Sequence, residues 1–230
     1  MHKLKQRWSP NFNERALPIT MIVLHYTGMK SAAEALDRLA DAEAGVSAHY
    51  VVEEDGAITI MVPEEKRAWH AGRSWWRGIS DVNSASVGIE IVNPGHEFGY
   101  RPFPGDQIAS VVRLVGAIKG RYAISRGNIV GHSDIAPARK QDPGELFPWE
   151  TLAKLRLALP RPQHHLTDPL WSDAAFMLAL ERFGYDVSDW KAATVAFQRR
   201  FRPDRIDGIA DGECRALLLA LLSGKPEESA

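Results

Sequence analysis

Two short apolar stretches constrain the fold of this chain more than any other feature. Residues 19–27 read ITMIVLHYT and are followed by Gly28, and residues 86–92 read SVGIEIV. Runs of this length, rich in β-branched residues, are typical of buried strands. The first run carries His25 at its carboxyl end, and the second carries Glu90 among apolar neighbours, where an unpaired charge would be costly. Two titratable side chains on buried strands are therefore expected, and each needs an explanation.

Other elements are predicted from periodicity and turn chemistry. Residues 31–43 have apolar side chains at helical spacing with Ser31 as a candidate N-cap, and residues 106–122 and 149–159 are also predicted helices. The Asp55-Gly56 pair between residues 48–52 and 57–62 predicts a β-hairpin. Residues 68–78 are rich in Trp, Gly and Arg without a steady period, so we expect an exposed, shaped loop there.

A break in the pattern suggests two domains. Residues 160–169 contain three prolines among polar residues, which is typical of a linker. Three helical segments follow at about 170–183, 190–201 and 212–222. We therefore predict a first domain over residues 1–159, a linker over 160–169, a small helical domain over 170–223 and a disordered tail over 224–230.

Composition excludes several classes of function. The formal net charge is -1, with 28 basic and 29 acidic residues, so nucleic acid and anionic membrane surfaces are not expected partners. Cys214 is the single cysteine, which excludes an intramolecular disulfide and a Cys-rich zinc finger. No apolar run reaches the roughly 18 residues of a spanning helix, and no apolar signal segment precedes Pro18. The expected location on these grounds is the cytoplasm.

The stretch 131–144, GHSDIAPARKQDPG, concentrates reactive side chains between glycines and prolines. His132 and Asp142 have the right chemistry for zinc, although residue types alone favour a solvated, charged loop. His25 is a candidate third ligand, with a hydrogen-bonded core histidine as the alternative. Glu90 could act as a general base or form a buried salt bridge, and Lys140 could stabilise an oxyanion or lie on the surface.

Several motifs together resemble one enzyme family. They are His25-Tyr26-Thr27, Ser47-Ala48-His49-Tyr50, Ala68-Trp69-His70-Ala71-Gly72, Asn83 with residues 86–90, and residues 131–149. In this order they closely resemble the zinc N-acetylmuramoyl-L-alanine amidases of the amidase-2 group, which share their fold with peptidoglycan recognition proteins. The resemblance covers about residues 8–158. Ala48 stands where some members have tyrosine, and His49 could then support the site or belong to the core.

The resemblance implies an α/β fold with a mixed central β-sheet flanked by helices. It also implies hydrolysis of the amide between the lactyl group of MurNAc, or 1,6-anhydro-MurNAc, and L-Ala of peptidoglycan stem peptides. The implied zinc ligands are His25, His132 and Asp142, with Glu90 and Lys140 as catalytic residues. A groove for muropeptides would be lined by Trp69, His70, Arg73, Trp75, Trp76, Asn83 and Arg139, with at least one of the tryptophans in the core.

The C-terminal helical segments resemble the three-helix peptidoglycan-binding domain of wall hydrolases. Residues 180–185, 193–201 and 206–211 carry this resemblance, and a unit this small needs Phe183, Phe197, Phe201 and Ile209 in its core. A receptor that binds peptidoglycan without cutting it is the alternative function. The presence of all five implied zinc-site and catalytic residues favours an enzyme, and the expected role is cytoplasmic recycling of anhydro-muropeptides, with the periplasm as the alternative location.

Overall fold

The computed structural model describes residues 4–163 and 167–224, and the elements below are numbered in chain order. The strands are β1 Leu4–Gln6, β2 Phe12–Glu14, β3 Met21–Tyr26, β4 Tyr50–Val52, β5 Ile58–Ile60, β6 Lys66–Ala68, β7 Ser86–Ile91 and β8 Ile129–Gly131. The helices are α1 Ala32–Ala40, α2 Val82–Ala85, α3 Gly95–Phe98, α4 Gly105–Tyr122, α5 His132–Ile135, α6 Trp149–Lys154, α7 Asp173–Phe183, α8 Trp190–Phe201 and α9 Gly212–Ser223.

Six strands form one mixed sheet in the order β1-β5-β4-β7-β3-β8. β7 runs parallel to both β3 and β4, β8 runs parallel to β3, and β4 and β5 form the predicted antiparallel hairpin. Gly56 in the hairpin turn has a φ of 82°, which glycine adopts without strain. The predicted α/β architecture with a mixed central sheet flanked by helices is confirmed.

The two faces of the central strands are covered by different helices. Ile22 and Leu24 of β3 pack on one side with the buried face of α4, which the periodicity of residues 106–122 predicts. Met21 and Val23 point to the other side, because successive side chains of a strand alternate. His25 shares the side of Met21 and Val23.

The C-terminal helices cover that second side. One continuous apolar cluster contains Met21 and Val23 of the sheet together with Phe176 of α7, Phe197 of α8 and Leu217 of α9. The sheet and the C-terminal helices therefore share a core. The predicted domain limits stay a prediction, and residues 164–166 of the predicted linker and 225–230 of the predicted tail lie outside the described residues.

Several sequence predictions are corrected. The loop predicted at residues 68–78 is confirmed in part: residues 69–78 form no helix or strand and include exposed side chains such as Arg73 and Trp75, but Ala68 belongs to β6 and Trp76 is only 2% exposed beneath the C-terminal helices. The expectation of a core tryptophan is confirmed by Trp76. The helix that begins at Trp149 ends at Lys154 rather than at residue 159. Ile209 is 55% exposed, because it lies in the turn between α8 and α9 and not on a helix face.

Other predictions are confirmed. Ser31 caps α1 by accepting a hydrogen bond from the Glu34 amide, as its position suggests. Phe183, Phe197 and Phe201 are buried. Within residues 4–163 and 167–224, no helix combines the length and the apolar character that crossing a membrane requires.

Candidate active site

The site begins at two paired strand residues. In the parallel ladder between β3 and β7, His25 is the direct partner of Glu90. Side chains of paired residues project to the same face of a sheet. The two titratable residues that the sequence places on separate strands are therefore neighbours, on the side of the sheet that the C-terminal helices cover further along.

The segment after β8 brings two further candidate ligands, His132 and Asp142, to His25. His132 is the first residue of α5, directly after β8, and the Ser133 amide donates a 2.9 Å hydrogen bond to the Asp142 carbonyl. The loop therefore closes on itself, with both side chains on one side. His25 Nδ1 lies 2.9 Å from His132 Nδ1 and 3.1 Å from Asp142 Oδ2, and His132 Nδ1 lies 3.1 Å from that same oxygen.

A chain of hydrogen bonds behind His25 defines which of its nitrogens carries the proton. The Ser86 hydroxyl donates to the Val82 carbonyl, so its oxygen accepts from Nε2 of His70 at 3.2 Å. His70 Nδ1 is then an acceptor, and it receives a 3.0 Å hydrogen bond from Nε2 of His25. Since a neutral imidazole has one N–H, Nδ1 of His25 presents a lone pair to the site.

His132 is oriented in the same way. Its Nε2 donates to the Ala71 carbonyl at 3.1 Å, which leaves a lone pair on Nδ1. Burial, together with the neighbouring His132, lowers the pKa of His25 to about 4, and burial also holds the pKa of His70 well below its ordinary value. His25 and His70 are therefore neutral near pH 7, and the neutral imidazole is the form that binds metals.

These three side chains fit a metal ion. Two imidazole lone pairs and a carboxylate oxygen, all buried, lie within 4.8 Å of one another. Without a cation between them, these acceptors would repel each other. Two histidines and one carboxylate are a donor set that zinc accepts in catalytic sites, where a fourth position remains for water. Histidines held by a hydrogen bond at the second nitrogen are typical of such sites.

Glu90 lies beside this group with an unused proton acceptor. Its Oε2 is enclosed and has no hydrogen-bond partner among residues 4–163 and 167–224. Burial, with the Asp142 carboxylate adding to it, raises the pKa of Glu90 well above its usual value, and Lys140 acts in the opposite direction. A carboxylate whose pKa is raised toward neutrality is suited to general acid–base chemistry. Lys140 itself is exposed, and its charge also acts on His25.

The residues predicted to line a groove are divided by the structure. Arg73, Trp75 and Arg139 line a cavity of about 500 Å³ together with residues 135–138, which lie between His132 and Asp142 in the chain, and Asp186 and Asp189 before α8 also line it. Trp75 is 37% exposed there. These three predicted groove residues therefore share one cavity.

The remaining predicted groove residues lie elsewhere. His70 is the buried support of His25, and Asn83 Oδ1 accepts hydrogen bonds from the amides of His70 and Ala71 at 3.0 and 2.7 Å. Trp69 is half-buried, and its Nε1 donates to Asn13 Oδ1 at 2.6 Å. His70 and Asn83 therefore shape the site from behind rather than from its open side.

Sequence reasoning missed the support provided by β7. A Cβ on Gly88 would lie 2.4 Å from Cγ of His70, so only glycine leaves room for this imidazole against the strand. A glycine inside a strand pattern is a known sign of such a close approach and could have indicated it. His49, whose role the sequence left open, is buried, and its Nδ1 accepts from the Gly88 amide. It therefore supports the strand rather than the metal group.

Tyr26, His96 and Tyr100 form a second group of polar side chains that the sequence analysis did not identify. The Tyr26 hydroxyl lies 2.9 Å from Nδ1 of His96, whose Nε2 lies 3.2 Å from Glu145. Tyr100 donates to the Pro143 carbonyl at 2.7 Å. These contacts fix the backbone at Pro143 and the side chain of Glu145, just after the candidate ligand Asp142.

Comparison with known proteins places this geometry in a family. The family model of the N-acetylmuramoyl-L-alanine amidases, Amidase_2, matches residues 15–145, which include His25, Glu90, His132, Lys140 and Asp142. The chain belongs to this amidase family. Its similarity to N-acetylmuramoyl-L-alanine amidase AmiD of Escherichia coli K12 is 37% identity over 234 residues, covering 89% of this chain and 82% of the relative.

Solved structures of amidases extend the similarity to the C-terminal helices. The complex of AmiD from E. coli with anhydro-N-acetylmuramic acid-L-Ala-D-γ-Glu-L-Lys aligns with a TM-score of 0.79 at 34% identity, over 92% of this chain and 97% of the other. AmpDh3 from Pseudomonas aeruginosa aligns with a TM-score of 0.80 at 32% identity, covering 94% of each chain. The amidase fold, including its helical C-terminal region, is therefore shared with both.

Proposed function

We propose that this member of the amidase family is a zinc-dependent hydrolase of muropeptides. The bond that it would hydrolyse is the amide between the lactyl group of MurNAc, or 1,6-anhydro-MurNAc, and L-Ala of the stem peptide. The observation that carries the proposal is the convergence of His25 Nδ1, His132 Nδ1 and Asp142 Oδ2 beside the unpartnered Oε2 of Glu90. The similar AmiD and AmpDh3 structures, solved with anhydromuramic peptides, support the substrate class.

The proposed mechanism divides the chemistry among the residues of the site. A zinc ion held by His25, His132 and Asp142 would supply Lewis acidity and would lower the pKa of a water molecule to about 7. Glu90 takes a proton from the attacking water, whose oxygen adds to the lactyl carbonyl carbon. The Lys140 ammonium stabilises the negative charge that develops on the carbonyl oxygen.

Cleavage then returns the proton. Glu90 delivers it to the amide nitrogen of L-Ala while the carbon–nitrogen bond breaks. The products are a lactyl carboxylic acid on the sugar and a stem peptide with a free α-amine. The raised pKa of Glu90 suits this double role, because the group must hold a proton between the two steps.

The substrate would lie along the cavity wall formed by Arg73, Trp75 and Arg139. In this proposal the exposed face of Trp75 packs against sugar, and Arg73 pairs with stem-peptide carboxylates. Arg139 donates to the Ala71 carbonyl at 3.0 Å and to the Arg73 carbonyl, so it also holds this wall in place. Trp69 is proposed to bind at the rim, while His70 and Asn83 act from behind the metal group.

The test is a digest of MurNAc-tripeptide and of its 1,6-anhydro form, followed by mass spectrometry. We expect free sugar and free peptide, loss of turnover with a chelator, and recovery on addition of zinc. A protein that binds the muropeptides without releasing peptide would support the alternative, a non-catalytic receptor. Recovery with magnesium but not zinc would contradict the zinc assignment.

The proposed setting is cytoplasmic recycling of anhydro-muropeptides. The single cysteine, Cys214, is buried and unpaired, which fits a reducing compartment. Fractionation of cells that produce the native protein tests this proposal, with recovery in the cytoplasmic fraction as the expected result. Recovery in the periplasm or the membrane fraction would contradict it.

A further inference from the structure

Helix α8 contributes a buried arginine to the base of the metal-binding loop. Arg200 is 8% exposed, and its guanidinium donates to Asp134 Oδ2 at 2.7 Å and to the Ile129 carbonyl at 2.9 Å. The same guanidinium lies 3.9 Å from the ring centroid of Trp149. One side chain from the C-terminal helices therefore contacts the start of β8, the loop and α6.

The carboxylate of Asp134 connects this arginine to a metal ligand. Its Oδ2 also accepts a 2.8 Å hydrogen bond from the Gly131 amide, directly before His132. Its Oδ1 accepts a 2.6 Å hydrogen bond from the hydroxyl of Tyr185, which follows α7. Asp134 is only 1% exposed, so these partners rather than bulk water must satisfy its carboxylate oxygens. The turn that sets the direction of His132 is thus fixed to the C-terminal helices.

The neighbouring residue of α8 approaches the far end of the same loop. Arg199 Nε lies 3.6 Å from Glu145 Oε2, and Glu145 contacts His96 at 3.2 Å. Helix α8 therefore contacts this segment before His132 at Ile129, between the two candidate ligands at Asp134, and after Asp142 at Glu145. The contact of Arg200 with Asp134 is buried, whereas that of Arg199 with Glu145 is half-buried.

We propose that Arg200, assisted by Tyr185, is a positioning residue for His132. This inference rests on the proposed metal site and assigns part of its support to the C-terminal helices. Arg200 neutralises Asp134, Asp134 holds the Gly131 amide, and the turn directs Nδ1 of His132 toward His25. Removing the guanidinium leaves a buried carboxylate without its cation, and the turn must then shift or admit water.

The chain offers a matched control for general destabilisation. Arg202 is also a buried arginine just after α8, at 1% exposure, but it pairs with Asp207, Asp211 and Glu213 inside the C-terminal unit. Arg202→Gln should weaken the helical unit without touching the loop. Arg200→Gln should weaken the helical unit and also disturb the loop, whereas Tyr185→Phe removes only the hydroxyl that donates to Asp134.

The experiment measures zinc affinity of the full-length apo-proteins by competition with a chromophoric chelator. Absorption spectra of the cobalt-substituted proteins report ligand geometry, and all are measured at a temperature where circular dichroism shows them folded. We expect zinc affinity to fall about 10–100-fold in Arg200→Gln, the usual cost of losing an outer partner, with a changed cobalt spectrum. Tyr185→Phe should show a smaller change in the same direction, and Arg202→Gln should match wild type.

Three results would overturn the proposal. They are an unchanged affinity and spectrum in Arg200→Gln, an equal loss of affinity in Arg202→Gln, and, should Arg200→Gln fail to fold, an unchanged affinity and spectrum in Tyr185→Phe. A wild-type protein that binds no zinc would contradict the proposed function as well, whereas tight wild-type binding with unchanged variants would contradict the positioning role alone.

Discussion

Gly88→Ala tests whether the packing of His70 against β7 supports the metal group. Gly88 lies in a central strand between β3 and β4, and a Cβ there would meet Cγ, Cδ2 and Nδ1 of His70 at 2.4, 2.6 and 2.7 Å. The imidazole would have to move by about 1 Å to reach ordinary van der Waals contact. It cannot do so freely, because His25 and Ser86 hold its two nitrogens.

The expected cost follows from this overlap. Overpacking a well-packed interior costs about 1–3 kcal/mol, and we expect the upper half of that range here. For a chain of this size, the melting temperature would fall by about 2–4 °C for each kcal/mol. Because a displaced His70 no longer receives the N–H of His25, zinc affinity should also fall by about 10–100-fold.

Urea denaturation and chelator competition measure the two effects of Gly88→Ala. The control is Gly116→Ala in α4, where the nearest side-chain atom to a new Cβ is 3.8 Å away on Leu157. A helical Gly-to-Ala change that fits should stabilise the protein by about 0.5–1 kcal/mol and leave zinc affinity unchanged. If Gly88→Ala had wild-type stability and zinc affinity, the packing argument would be refuted.

Three further predictions concern charge. Asp142→Asn should bind zinc more than about 100-fold more weakly than wild type in chelator competition, since it loses a ligand rather than an outer partner; comparable affinity would exclude Asp142 as a ligand. Although burial opposes it, the Arg121 guanidinium holds the pKa of Glu64 below its usual value. The stabilisation that this lowered pKa of Glu64 gives is present above the pKa of Glu64 in the unfolded chain, and it is lost as pH falls through its pKa in the folded protein. Glu64→Gln should therefore lose less stability than wild type on acidification, measured by urea denaturation across pH. Free energies of unfolding that fall in parallel with pH for the two proteins would contradict this. Because the reaction needs ionised Glu90, kcat/KM should fall on the acid side of the pH profile at a pH above 4.5. Lys140→Met should move this acid limb to higher pH, because the Lys140 charge lowers the pKa of Glu90. An acid limb that does not move would show that Lys140 does not act on Glu90.

Periodicity predicted the elements with continuous patterns. The strands at Met21–Tyr26 and Ser86–Ile91 and the helix at Gly105–Tyr122 follow from their own residues, because each buries one face or both. β1, β2, β6 and β8 were missed because three residues are too few to establish a period and, unlike β4 and β5, none of them is marked by an Asp-Gly turn. A core tryptophan was predicted, but that it is Trp76 could not be, since the residues that cover it, Phe183 and Tyr185, are distant in sequence.

The chemistry of the site was easier to predict than its geometry. Residue types suggested His25, His132 and Asp142, but only the parallel pairing of β3 with β7 and β8 brings these side chains together. The direction of the imidazole lone pairs depends on Ser86 and on the Ala71 carbonyl, neither of which has a pattern of its own. His70 has an aromatic-rich neighbourhood in the sequence, which suggested a groove rather than a buried support.

The central claim is that Glu90 moves protons beside a zinc ion held by His25, His132 and Asp142. The most direct test measures zinc content and muropeptide turnover on the same preparation of Glu90→Gln, which keeps the size of the side chain and removes its basicity. We predict as much zinc as in wild type and turnover lower by about 10²–10⁴-fold, the usual contribution of a general acid–base group. Zinc-loaded Glu90→Gln that turns over muropeptide at the wild-type rate would contradict the account.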